Sequence, residues 1–74
     1  MSWIVLTVRR KDQTFMGGVR LHNDHYPDEK ADKDFSAARN LEWEFRHESP
    51  TLVIMKSKVY GGPMWIYIRK GEST

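Results

Sequence analysis

Apolar and polar residues alternate from Ser2 to Arg10, with Ile4, Leu6 and Val8 on one side of an extended chain and Trp3, Val5, Thr7 and Arg9 on the other. Branched side chains are frequent there, and the segment reads as a first strand. Lys11-Asp12-Gln13 is polar enough to turn the chain, after which Thr14 to His22 sets Phe15, Val19 and Leu21 on one side of a second strand. Gly17-Gly18 interrupts it with two residues that have no side chain to pack, as at a bulge, a bend or a shifted hairpin turn. Asn23 to Asp34 carries almost no apolar content, and its Asp, Asn, Lys and Pro residues predict a solvent-exposed loop.

Phe35, Ala38, Leu41 and Phe45 then recur at intervals of three and four behind Asp32 or Asp34 as an N-cap, and Ser49-Pro50 supplies a stop. This spacing predicts an amphipathic helix. The competing reading makes Leu41, Trp43 and Phe45 the inward face of a short strand with Glu42, Glu44 and Arg46 outward. Thr51 to Tyr60 and Met64 to Lys70 read as two further strands joined through Gly61-Gly62-Pro63. The order β-β-α-β-β describes an α+β fold: two hairpins forming a small antiparallel sheet, one helix packed on one face, and the other face at least partly open. Residues 1–74 make one domain, in which 71–74 read as a frayed tail.

The register of the last hairpin decides which side chains that open face carries. A loop of four residues, Tyr60 to Pro63, sets Val59 opposite Met64, Lys58 opposite Trp65, Ser57 opposite Ile66 and Lys56 opposite Tyr67. Met64, Ile66 and Ile68 then face the helix, and Trp65, Tyr67 and Arg69 face away from it. With Trp3 and Arg9 from the first strand, the expected binding face consists of Trp3, Arg9, Lys56, Lys58, Trp65, Tyr67 and Arg69. Such a face can stack single-stranded bases while its cations meet phosphates, and the same residue types are concentrated in protein interfaces. The plainer account is cross-strand cation–π pairing of Lys58 with Trp65 and Lys56 with Tyr67, binding nothing.

Composition narrows the choice. The chain has 74 residues and no cysteine, which excludes disulfides, zinc ribbons, iron–sulfur clusters and thiol nucleophiles together. A hydrophobic share of 39% and a charged share of 30% are those of an ordinary folded domain, and a net charge of +2 permits nucleic-acid binding without requiring it. The longest apolar run, from Trp3 to Leu6, is far short of the roughly 20 residues that span a bilayer. No basic segment precedes it and no small-residue cleavage site follows, so neither a membrane span nor a signal peptide is expected, and the cytoplasm is the expected compartment.

Candidate chemistry is sparse. His22 and His25, with Asp24 and Asp28 beside them and His47-Glu48 elsewhere, can be assembled on paper into a metal site, but a His-x-x-His pair in an irregular segment lacks fixed ligand geometry. No Gly-x-Ser-x-Gly elbow and no glycine-rich phosphate loop is present, and Glu42 and Glu44 read as a solvated pair beside Arg46. No catalytic residue, metal or cofactor is therefore expected. The chain also lacks an RNA-recognition aromatic pattern, a Gly-x-x-Gly nucleic-acid loop, finger spacings and a helix-turn-helix. The expected function is non-enzymatic: a protein-binding module, a regulator or inhibitor that occupies a partner's surface. The alternatives are a binder of single-stranded RNA or DNA and a self-pairing dimer.

Overall fold

A computed structural model describes residues 2–8, 19–59 and 62–71. The elements are β1 (Ser2–Val8), β2 (Val19–Pro27), α1 (Asp28–Asn40), β3 (Glu44–Glu48), β4 (Leu52–Lys56) and β5 (Met64–Arg69). The strands form one antiparallel sheet in the order β2-β1-β5-β4-β3, so β1 and β5, distant in sequence, are neighbours in its middle. α1 connects the two edge strands. Thirteen residues of helix measure about 19 Å, close to the distance of about 19 Å between the edges of a five-stranded sheet, so a single helix suffices to cross one face.

The architecture is the one the pattern predicts, an antiparallel sheet with one helix on one face, but it holds five strands and its boundaries move. β2 runs to Pro27 through Asn23–Tyr26, the stretch whose composition suggests a loop. β1 supplies the reason: Trp3 pairs with Tyr26 and Ser2 with Pro27, and ladder pairing outweighs the weak strand preference of Asn and Asp. Register shifts between Trp3 and Leu6 let this polar edge strand follow its neighbour. The Thr14–Gly18 part of the expected second strand, including Gly17-Gly18, lies outside the described residues, as do Tyr60 and Gly61.

The helix starts at Asp28, not behind Asp32 or Asp34. Pro27, at φ −65° and ψ 148°, delivers the extended chain to the first turn, where Asp28 and Glu29 meet the positive end of the helix dipole. It ends at Asn40, before Phe45. Trp43 N–H donates to Ala38 O (2.8 Å) and Glu42 N–H to Arg39 O (3.1 Å), with Glu42 at φ 58°. This is the paired-bond helix ending that glycine usually closes, formed here by a glutamate. Released from the helix, Glu44–Glu48 forms β3, so the strand alternative for this segment holds over Glu44–His47, while Leu41–Trp43 is a turn.

The β4–β5 register departs from the expected one by three residues. Lys56 pairs with Met64, Met55 with Trp65, Ile54 with Ile66 and Val53 with Tyr67. The connection is Ser57–Pro63, not Tyr60–Pro63. It is tied at its base: Val59 N–H donates to Ser57 Oγ (3.2 Å), and Gly62 N–H to Val59 O (2.9 Å). At Gly62 a Cβ would lie 2.9 Å from Ser57 Cβ, so only glycine permits this approach.

An odd shift reverses the sides of a strand relative to its partner. The helix covers Trp3, Val5, Val53, Met55 and Tyr67, which with Ala31, Phe35 and Ala38 of α1 make the core. Small alanines on the helix leave room for large rings on the sheet, and Trp3, Phe35 and Tyr67 meet edge to face at 4.8–6.3 Å between centroids. The aliphatic side of β1 and β5, expected beneath the helix, is the open side.

Candidate functional site

The expected aromatic-basic face is not assembled. Trp3 and Tyr67 are buried, at 3% and 1% exposure, under the helix. Arg69 lies over the Trp3 ring at 4.2 Å, donates Nε–H to Pro50 O (2.8 Å) and pairs through Nη1 with Asp28 (3.2 Å), joining the end of β5 to the start of the helix. Lys56 is on the opposite face, beside Met64 and Glu44, and Lys58 is exposed in the connection after β4. Arg9 lies outside the described residues. Of the described six, Trp65 and the buried Tyr67 line an opening. The underlying reason is one of volume: flat rings fill the space over two alanines better than branched aliphatics do, a criterion that alternation alone does not contain.

What sequence reasoning missed is a cleft of about 310 Å³ beside the helix. β2 contributes His22 and Tyr26, β5 contributes Trp65 and Tyr67, β4 contributes Met55, and the end of the helix and its turn contribute Ala37, Leu41 and Trp43. One charged group, Asp34, projects from α1 into this apolar setting. Its Oδ2 accepts two hydrogen bonds, from the Tyr26 hydroxyl at 2.7 Å and the Tyr67 hydroxyl at 2.8 Å. Burial first, and then the hydrogen bond and negative charge of Asp34, push the Tyr26 phenol up to about 12. The same causes raise Tyr67, with a smaller contribution from Tyr26. Both phenols therefore stay protonated as donors at neutral pH. Asp34 has no ion-pair partner among the described residues.

The rings stand as walls. His22 meets Trp65 at 78° and Tyr26 at 65°, and Tyr26 meets Tyr67 at 62°, with centroids 5.0–6.4 Å apart. Asp34, directly before the predicted helical repeat, gives no hint of this, since it reads as an N-cap; the clue lies in Tyr26, Trp43, Trp65 and Tyr67 being too many large rings for one small core.

The second surface is the open sheet face. Cross-strand pairing aligns Leu21, Leu6, Ile66 and Ile54 in one row, Val19, Val8 and Met64 in another, and Ile4, Ile68 and Leu52 in a third. No helix among the described residues covers them, and Leu21 (60%), Val19 (48%) and Ile68 (37%) are the most exposed. Lys56 and Glu44 continue the second row, and the Arg46–Glu44 ion pair (2.9 Å) lies at that edge.

The histidines have separate surroundings: His22 lines the cleft, while His25 Nδ1 lies near Ser2 Oγ (3.5 Å) and Lys70 Nζ (3.3 Å). Among the described residues no three His, Asp or Glu side chains are grouped to hold a metal ion, and no helix is long and apolar enough to cross a membrane. Comparison with protein-family models, with curated proteins and with solved structures gives no match.

Proposed function

We propose that this protein is a non-enzymatic binding module that acts by laying its open aliphatic sheet face on a partner protein. The carrying observation is the continuity of that face: three cross-strand rows of Val, Leu, Ile and Met, uninterrupted by charge until the Lys56–Glu44 edge. The four strands that carry these rows, about 4.8 Å apart and some five residues long, give a surface of roughly 300 Å². Contiguous apolar patches of that size on soluble proteins coincide with interaction sites. A partner sheet or helix docked there would bury branched side chains at about 25 cal/mol per Å² of apolar area, before the cost of association. The single-stranded nucleic-acid alternative loses its stacking platform, because two of its three rings belong to the core.

The test is affinity capture with the wild-type chain against Ile68→Glu, whose side chain lies on the open face, with Trp65→Ala in the cleft as the contrasting variant. Circular dichroism controls for folding, and sedimentation velocity tells a foreign partner from a second copy of the chain. Loss of the captured protein in Ile68→Glu with retention in Trp65→Ala is the expected outcome. Equal capture by Ile68→Glu and wild type would remove the sheet face from consideration.

A further inference from the structure

Independently of the sheet face, we propose that the cleft between α1 and the β2, β4 and β5 side chains binds an organic cation of the methylated ammonium class, with Asp34 as its counter-charge. Three features of the site converge on that chemistry. The walls are aromatic faces set at steep angles to one another, His22, Tyr26, Trp65 and Tyr67, with Trp43 on the helix turn, which is the arrangement that attracts a positive charge through ring quadrupoles from more than one side. The charge in the cleft is a carboxylate whose Oδ2 is fixed by two phenolic donors and which has no cation of its own among the described residues. The remaining lining, Met55, Ala37, Ala38 and Leu41, is apolar and offers few acceptors.

The last point selects among cations. A guanidinium brings five N–H donors and a primary ammonium three, and most of them would find no acceptor against these walls. Methylated ammonium replaces those donors with methyl groups that the aromatic faces and Met55 can contact, and leaves a diffuse charge for Asp34. The volume of about 310 Å³ is at the lower end of small-molecule sites and suits a single compact headgroup. That headgroup could be a free quaternary amine or the methylated side chain of a peptide; the chemistry is shared.

The experiment is a tryptophan-fluorescence titration of the whole chain, since Trp43 and Trp65 line the cleft. The probes are choline, its neutral carbon isostere 3,3-dimethylbutanol, and a short peptide carrying one trimethyl-lysine. Choline or the peptide should bind at least about ten-fold tighter than the isostere, a difference of about 1.4 kcal/mol. The tighter of the two identifies the source. Asp34→Asn keeps an oxygen acceptor for both tyrosines and should abolish the preference with little change in thermal stability. Trp65→Leu should weaken both probes. Equal binding of choline and its isostere, unchanged binding in Asp34→Asn, or no response to any cation would overturn the proposal.

Discussion

Asp34 and its two tyrosines give the protein an alkaline limit. A phenol free in the unfolded chain titrates near 10, whereas Tyr26 is held at about 12 and Tyr67 is raised as well. Between those values the folded state keeps protons that the unfolded state releases, so stability from this cluster is complete below about pH 10 and falls as pH rises further. Urea unfolding at several pH values should show that decline, and Tyr26→Phe with Tyr67→Phe should flatten it while lowering stability at neutral pH by about 1–3 kcal/mol for the lost charged hydrogen bonds. At this scale the sequence was least legible. The expected cation–π pairs, Lys58 with Trp65 and Lys56 with Tyr67, are replaced by one the alternation did not point to, Arg69 over Trp3 inside the fold, and Lys56 pairs with Met64 instead. The alternation of Met64 to Arg69 distinguishes two sides without saying which is inward, because both sides are apolar.

At the level of elements, the helix and the last strand were readable and the boundaries were not. Ala31, Phe35 and Ala38 bury a stripe with helical spacing, of which Phe35 and Ala38 already stand out in the pattern. The continuation to Phe45 misleads because the true end has no glycine to mark it: Glu42 occupies the left-handed region at φ 58°. That conformation costs a residue with a side chain about 1 kcal/mol relative to glycine. Glu42→Gly should therefore stabilise the protein by about 0.5–1 kcal/mol, measured as an upward shift of the denaturation midpoint with an unchanged m-value. The β4–β5 hairpin illustrates the opposite failure. Gly62-Pro63 does lie between the two strands, yet Ser57 extends the connection through its own hydroxyl and three residues leave the ladder, which turns the expected open face into the core.

For the molecule as a whole, the decisive property is that the helix covers one face of the sheet while nothing among the described residues covers the other. The inner strands β1, β5 and β4 have ladder partners on both edges and the outer strands β2 and β3 on one, so native-state hydrogen exchange should be slowest in β1, β5 and β4 and fastest at the edges. Faster exchange in β5 than in β3 would contradict the strand order. That order has a consequence for the life of the nascent chain. During synthesis β1 with β2, and β3 with β4, emerge as two-stranded ribbons, each marginal in water. β5 is the piece that joins them, and it comes last among the elements. The helix can pack on the β1–β2 ribbon before β5 arrives, but the β3–β4 ribbon gains its third strand only from β5, so the five strands become one sheet when β5 pairs with both β1 and β4.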